Sequence, residues 1–162
     1  MTDVFARLPR DHQIALRHVL ARLQDGEIDW ALTGSASFTL QGVPLTPEDL
    51  DLQTNAWGAY ELERRFAEYL VRPVALVTNS RVRSYWGSLR IEGIEVEIIG
   101  DIQKCLSDGT WTAPPVLSDV RTNFETCFGA IPMLNLAYEA RAYEQMGRLR
   151  RAHLLDEWLQ TA

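Results

Sequence analysis

The spacing of apolar residues predicts a packed helix near the start of the chain and another further along. Between residues 11 and 24, apolar side chains recur at intervals of three and four residues and fall on one helical face. Asp11 is placed to cap the start of this helix, and Asp25-Gly26 to end it. A similar pattern over residues 58–70 predicts a second helix with a charged, solvated outer face.

Strand-like patterns occupy the middle of the chain. A short apolar run at residues 28–32 predicts the first strand. Three further strands are predicted at residues 74–77, 83–91 and 94–99. Glu92-Gly93 separates the last two and is typical of a tight hairpin turn, so we expect these strands to pair in antiparallel fashion.

The last part of the chain combines weak signals with a strongly helical end. Residues 101–106 favour a short helix, and residues 120–127 favour one more strand. Helix formers and spaced apolar positions dominate residues 132–159, where Gly147 predicts a kink or a division into two helices.

Two aspartates in a strand-like stretch are the first sign of chemistry. Asp49 and Asp51 are separated by one residue, so we expect both carboxylates on one face of the strand and Leu50 and Leu52 on the other. Adjacent carboxylates repel each other unless a cation lies between them, and Mg²⁺ prefers oxygen ligands. An ordinary solvated strand face is the alternative explanation.

A glycine and a serine lie upstream of these aspartates. Gly34-Ser35 follows the apolar run Trp30-Ala31-Leu32 and precedes a helix-like stretch at residues 36–41. Glycine permits a close approach of the backbone to a ligand, and a helix that begins at Ser35 offers free N–H groups to a phosphate. Taken alone, the pair is typical of an ordinary turn and helix cap, so the phosphate interpretation depends on its combination with the aspartates.

The strand predicted at residues 94–99 carries two more carboxylates. Its polar and apolar residues alternate, which places Glu95 and Glu97 on one face. Taken alone, the pair is typical of the exposed polar face of an edge strand.

The combined pattern resembles the nucleotidyltransferase superfamily, which has the DNA polymerase β-like fold. The signature of that family is an apolar strand, Gly-Gly or Gly-Ser, a spacer of about a dozen residues, and two acids separated by one apolar residue. Gly34-Ser35, the spacer at residues 36–48 and the stretch from Asp49 to Leu52 match each part. Residues 143–152 also resemble the C-terminal helices of small bacterial members, including relatives of aminoglycoside nucleotidyltransferases.

The resemblance implies the α+β class, with a nucleotidyltransferase-like mixed β-sheet flanked by helices, C-terminal helices and the carboxylates clustered at one edge. It implies an enzyme that binds the phosphates of an NTP, such as ATP, against Gly34 and Ser35. In the resembled family a third carboxylate completes the acidic site. Glu95 and Glu97 both fit, and Glu97 is preferred because it lies deeper in the run before Gly100. One or two Mg²⁺ ions would be held by Asp49, Asp51 and Glu97. A nucleoside monophosphate would then pass to an acceptor hydroxyl with release of pyrophosphate, and the third carboxylate would receive the hydroxyl proton.

The acceptor stays open at the level of the sequence. An aminoglycoside-type small molecule is the first expectation, because an acidic cleft attracts polycations. A protein side chain is the rival acceptor, as in the nucleotidyltransferases of toxin–antitoxin pairs, and a non-catalytic nucleotide-binding module of the same fold is the rival function. Because the chain is short, a homodimer is a further expectation for completing the acceptor pocket.

Composition narrows the class of protein. With 162 residues, 46% of them hydrophobic, we expect a single domain over residues 1–162, with a core at about 10–100 and a C-terminal helical segment at about 132–160. A net charge of −6 and a pI near 5.1 argue against a general nucleic-acid-binding surface. The sequence has neither a bilayer-length apolar run nor a signal-peptide pattern, so we expect a cytoplasmic protein without membrane contact. Cys105 and Cys127 are expected to be free thiols.

Two groups of arginines stand out. The candidates to contact a bound triphosphate are Arg81, Arg83 and Arg90. Arginines in a sheet, however, more often pair with nearby acids at the surface. A basic edge on the last helix is made of Arg148, Arg150 and Arg151. The solvated side of a helix explains such an edge without any function.

Overall fold

The computed structural model describes residues 3–161 and contains a seven-stranded mixed sheet flanked by helices. The strands are β1 (Trp30–Thr33), β2 (Leu50–Thr54), β3 (Leu70–Thr78), β4 (Val82–Ile91), β5 (Ile94–Lys104), β6 (Arg121–Thr126) and β7 (Gly129–Leu134). The helices are α1 (Arg10–Arg22), α2 (Gly34–Leu40), α3 (Ala56–Arg65), α4 (Leu117–Val120), α5 (Leu136–Gln145) and α6 (Leu149–Thr161). Short 3-10 helices cover Val4–Arg7 and Ala67–Tyr69. The predicted fold class, with its C-terminal helices, is confirmed.

The strands follow the order β3-β4-β5-β2-β1-β7-β6 across the sheet. Strand β2 therefore lies in the middle, antiparallel to β1 and parallel to β5. The predicted hairpin between β4 and β5 is confirmed, since Ile91 pairs with Ile94 across the turn. Glu92 and Gly93 both have positive φ angles, 51° and 77°, as a tight turn with two left-handed residues requires.

The two faces of the central strands have opposite chemistry. Leu50 and Leu52 of β2 join the main apolar core, together with α1, α3 and the apolar residues of β5. Alternation along the strand turns Asp51 and Gln53 to the other face. Helix α5 lies over that polar face, and it packs with α2 and α6 in a second apolar cluster around Phe38 and Leu155. The C-terminal helices thus partly cover the polar face.

Several predicted boundaries are wrong. Helix α1 begins at Arg10 after Pro9, so Asp11 lies in its first turn and does not cap it. The helix predicted at residues 58–70 ends at Arg65, because the chain turns there into the edge strand β3. The prediction that the carboxylates cluster at an edge of the sheet is also wrong, because β2 and β5, which carry them, are central strands.

The predictions for the C-terminal part of the chain differ most from the structure. The short helix predicted at residues 101–106 is absent, because β5 continues to Lys104 and pairs there with Val82 of β4. Strand β7 was not predicted, and it shifts the start of the C-terminal helices from residue 132 to Leu136. A division into two helices at Gly147 is confirmed, and its φ of 76° shows the left-handed backbone that ends α5. Within residues 3–161, no helix combines the length and the apolar character needed to span a bilayer.

Candidate active site

Three carboxylates meet on the polar face of the central strands. Asp51 in β2 and Glu97 in β5 are register partners on adjacent parallel strands, so their side chains lie on the same face. Asp49 lies one residue before β2. One carboxylate oxygen from each of the three residues lies within 4.8 Å of the other two. Glu95 is not a member of this group, although both glutamates are on the same face of β5.

The electrostatics of this cluster are unfavourable without a cation. Burial raises the pKa of Asp51 well above its usual range, and the neighbouring Glu97 raises it further. The pKa values of Glu97 and Asp49 are also raised, in each case chiefly by burial and then by the charge of Glu95. Asp51 Oδ1 is buried and has no hydrogen-bond partner within the described chain. A hard divalent cation fits these three oxygen donors and would satisfy that atom.

Gly34 is the backbone position on which the cluster depends. Its φ is 73°, and a Cβ atom at this position would lie 2.2 Å from Asp51 Oδ2. The next residue, Ser35, accepts a hydrogen bond at its Oγ from the Glu48 N–H at 3.0 Å. The start of α2 is thereby tied to the loop that delivers Asp49. Both predicted phosphate-contacting residues are therefore beside the carboxylates.

A polar cleft opens over the carboxylates and has a volume of about 270 Å³. Its walls are Ser35, Glu48, Asp49, Asp51, Glu97, Tyr143, Arg148 and Arg151. The Arg148 and Arg151 guanidinium groups lie 5.1 and 5.9 Å from the centre of the Tyr143 ring. This stacking holds two cations at the mouth of an otherwise acidic cleft.

The arginines that line the cleft are not the ones that the sequence predicted to contact a bound triphosphate. The Arg81 guanidinium donates to the Met146 carbonyl, Arg83 to the Gln103 side chain and Arg90 to the Gly93 carbonyl. None of these three arginines lines the cleft. Two of the arginines predicted as a solvated helix edge line it instead, because the α5–α6 pair folds back over the sheet.

Sequence reasoning also missed a buried glutamate. Glu139 in α5 is 2% exposed, and its carboxylate accepts hydrogen bonds from the Thr33 hydroxyl and, at 3.3 Å, from the Gly34 N–H. Burial raises the pKa of Glu139 to about 8. A signal was present in the sequence, because Glu139 lies three residues after Leu136 and four before Tyr143, on the apolar face of its helix.

Comparison with known proteins decides the family. A family model described as aminoglycoside-2''-adenylyltransferase matches residues 15–157, which is most of the chain. The chain belongs to this family of nucleotidyltransferases. The family consists of enzymes, and it lies within the superfamily that the Gly-Ser and aspartate motif resembles. No curated protein matches the sequence.

Solved structures support the same conclusion. A candidate nucleotidyltransferase from Thermotoga maritima is 41% identical, with a TM-score of 0.84 and 96% coverage of both chains. The enzyme ANT(2'')-Ia, solved with adenylyl-2''-tobramycin, shares the fold at 13% identity and a TM-score of 0.55, over 91% of this chain and 90% of that one. The lincosamide adenylyltransferase LnuA, solved with lincomycin, shares it at 11% identity and 0.53, over 90% and 98%.

The Gly34→Ala substitution is expected to destabilise this nucleotidyltransferase more than a left-handed backbone alone would explain. A non-glycine residue in the left-handed region costs about 1–2 kcal/mol, and here the new methyl group would also collide with Asp51. Urea unfolding of the metal-free protein measures the loss.

Gly26→Ala is the matched control for this substitution. Gly26 has a similar φ of 71° but no atom within 4 Å of the added Cβ. It therefore carries the backbone penalty without the collision. Equal losses in the two variants would contradict the proposed contact between position 34 and Asp51.

Burial of Glu139 predicts that stability falls as the pH rises. The pKa of Glu139 is higher in the folded protein than in the unfolded chain, so the folded state holds its proton more tightly. Its stabilising contribution is complete below about pH 4.5 and is lost as the pH rises to about 8. We expect Glu139→Gln to be more stable than the wild type at pH 9, by an amount on the order of a few kcal/mol.

Urea unfolding of the metal-free protein between pH 5 and 9 tests this expectation. Glu144→Gln, on the exposed side of the same helix, is the control and should follow the wild-type profile. Parallel profiles for Glu139→Gln and the wild type would show that Glu139 is not protonated in the folded protein near neutral pH.

Proposed function

We propose that this protein transfers a nucleoside monophosphate from an NTP, with ATP as the first candidate, to the hydroxyl of an acceptor molecule, with Mg²⁺ as its metal. The observation that carries the proposal is the group of three carboxylates, which lies beside a cleft with two arginines. Asp49, Asp51 and Glu97 would hold one or two ions. When bound, Mg²⁺ supplies charge neutralisation at the transferring phosphoryl group.

The remaining residues of the cleft fit the triphosphate. The Gly34 and Ser35 segment lies next to the carboxylates and offers a backbone that approaches a ligand closely. Arg148 and Arg151 reach the same cleft from the C-terminal helices and would bind the oxygens of the leaving pyrophosphate. Charge on that leaving group increases as the bond to it breaks, so cations at this place favour the reaction.

The transfer itself requires one bond to form and one to break. The acceptor oxygen would bond to the α-phosphorus, and the bond from this phosphorus to the bridging oxygen would break, releasing pyrophosphate. The hydroxyl proton would pass to Glu97. Burial raises the pKa of the Glu97 carboxylate above its usual range, which increases its affinity for a proton and suits a general base.

Membership of the family does not identify the acceptor. An aminoglycoside-type compound is the first class to test, because the family model carries that description and the chain has a net charge of −6. The rival acceptor is a protein side chain of a toxin–antitoxin pair. A homodimer remains a proposal for completing the acceptor site.

Pyrophosphate release tests the transferase activity. We would measure it with each of the four NTPs, Mg²⁺, and a panel of aminoglycosides, lincosamides, small hydroxyl compounds and candidate protein acceptors. Asp51→Asn and Glu97→Gln should each lower the rate by at least about 10²-fold, the order expected when one group that stabilises the transition state is removed.

Glu95→Gln is the matched control, since Glu95 lies on the same face of β5 but outside the group of three carboxylates. Its rate should stay within a few-fold of the wild type. A Glu95 variant as inactive as the Glu97 variant would move the base to Glu95. Mg²⁺-dependent NTP binding without pyrophosphate release from any acceptor would favour a non-catalytic module.

A further inference from the structure

A second cavity lies on the same face of the sheet, on the far side of Asp51 and Glu97 from the cleft. Its volume is about 140 Å³, and it lies between the central strands and α5. It shares four wall residues with the cleft, namely Asp51, Glu97, Tyr143 and Arg148. The other polar walls are Thr33, Gln53, Lys104, Tyr138 and Glu139. We call it the inner cavity.

Unpaired polar atoms are concentrated in the walls of the inner cavity. Within the described residues, four buried side-chain N or O atoms lack a hydrogen-bond partner. Asp51 Oδ1 is the atom that the cation would satisfy, and two of the others, Gln53 Nε2 and Glu139 Oε2, belong to walls that only the inner cavity has. Gln53 is 5% exposed and Glu139 is 2% exposed. A buried polar atom without a partner costs about 1–3 kcal/mol, so two in the walls of one cavity favour a polar occupant.

Lys104 adds an ammonium group to these walls. It is the only lysine in the sequence and is 6% exposed. Its Nζ donates to the Tyr138 hydroxyl at 3.3 Å and forms no salt bridge with the described residues. Burial lowers the pKa of Lys104, and no carboxylate offsets that effect. Its other contact is with the face of the Tyr138 ring, 5.1 Å from the ring centre. A ligand oxygen in the inner cavity would give Lys104 Nζ the acceptor that the described residues supply only through Tyr138.

The position of the inner cavity favours the acceptor over the nucleotide. Attack and departure occur roughly in line at a transferred phosphoryl group, so acceptor and pyrophosphate lie on opposite sides of it. Ser35 and Arg151 line only the cleft, where the proposed function puts the pyrophosphate. Gln53 and Lys104 line only the inner cavity, and Asp51 and Glu97 lie between the two sets because they line both. A hydroxyl in the inner cavity would thus face the α-phosphorus and the proposed base.

We propose that the inner cavity binds a small acceptor whose hydroxyl points towards Glu97 and whose carboxylate or carbonyl oxygen is bound by Lys104 and Gln53. This inference rests on the proposed function and narrows its acceptor. A cavity of about 150 Å³ holds one benzene-sized ring, so the inner cavity receives a single ring or its equivalent. An ammonium group beside Lys104 would be opposed by its charge. Of the carboxylates on the same walls, Asp51 and Glu97 would hold the metal, and Glu139 accepts hydrogen bonds from Thr33 and Gly34. Polycationic aminoglycosides are therefore disfavoured as acceptors in this cavity.

Three compounds of equal size test the charge preference directly: 3-hydroxybenzoate, 3-hydroxybenzamide and 3-hydroxybenzylamine. Because the sequence has one lysine, acetylation of Lys104 by acetic anhydride, followed by peptide mapping, reports occupancy of the inner cavity without any turnover. We expect the carboxylate and the amide to slow acetylation in the presence of Mg²⁺ and ATP. The ammonium compound should need at least about ten-fold higher concentration.

Other protection patterns overturn the proposal. Equal or stronger protection by 3-hydroxybenzylamine would show that Lys104 does not select the acceptor charge. Full protection by Mg²⁺ and ATP alone would place the nucleotide in the inner cavity. Absence of protection by all three compounds would show that the inner cavity binds no acceptor of this class.

Lys104→Met gives an independent measurement by calorimetry. It should weaken binding of 3-hydroxybenzoate by about ten-fold or more and leave the affinity for ATP with Mg²⁺ within about two-fold, because Lys104 does not line the cleft. Arg150→Met removes the same charge from the exposed side of α6 and should change neither affinity. An unchanged affinity for 3-hydroxybenzoate in Lys104→Met would refute the assignment.

Failure of the proposed function has a different signature. If the protein does not transfer nucleotides, pyrophosphate release will be absent or insensitive to Asp51→Asn, whatever occupies the inner cavity. The protection and calorimetric measurements need no turnover and therefore judge the inner cavity by itself.

Discussion

The parallel pairing of β2 with β5 places Asp51 beside Glu97 and creates the electrostatic repulsion around which the site is arranged. Both residues lie on one face because their neighbours Leu50, Leu52, Val96 and Ile98 are buried in the core on the other. Turning the carboxylates away from each other would therefore require turning apolar side chains towards solvent. The packing of the core holds the two carboxylates together, and a bound cation would relieve the repulsion.

The C-terminal helices cover this acidic face so that it has two regions, the cleft and the inner cavity. Helix α5 brings Glu139 against Gly34, and the α5–α6 turn brings Arg148 to the cleft. Gly34 is at the junction of these contacts, with Asp51 on one side and Glu139 on the other. The same helices close the inner cavity, where Lys104 meets Tyr138. Ser35 and Arg151 line only the cleft, whereas Gln53 and Lys104 line only the inner cavity, so the two sides have different chemistry.

On the proposed assignment, this division would let a family member differ from its relatives in acceptor while it keeps the transfer chemistry. The carboxylates and Gly34 lie on the central strands and the turn after β1, where core packing restricts change. The walls of the inner cavity include residues from the end of β5 and from α5, such as Lys104 and Tyr138. Substitution of those residues would alter the charge and shape of the inner cavity without moving the carboxylates.

The sequence by itself determined those features of this protein that depend on residues close together in the chain. Alternation within one strand placed Asp49 and Asp51 together, a glycine and a serine marked the start of α2, and Glu92-Gly93 predicted its hairpin. Each depends on neighbouring residues only, and the combination was specific enough to indicate the family.

Only the tertiary structure decided the remainder. The register between β2 and β5 put Glu97, and not Glu95, in the group of three carboxylates. Strand β7 forms because β1 and β6 pair with it on either side, which its own residues do not signal. Glu139, Lys104 and Arg148 reach the site through contacts between segments far apart in the chain. Strand register and helix docking are set by the sum of many long-range contacts, so no local pattern encodes them.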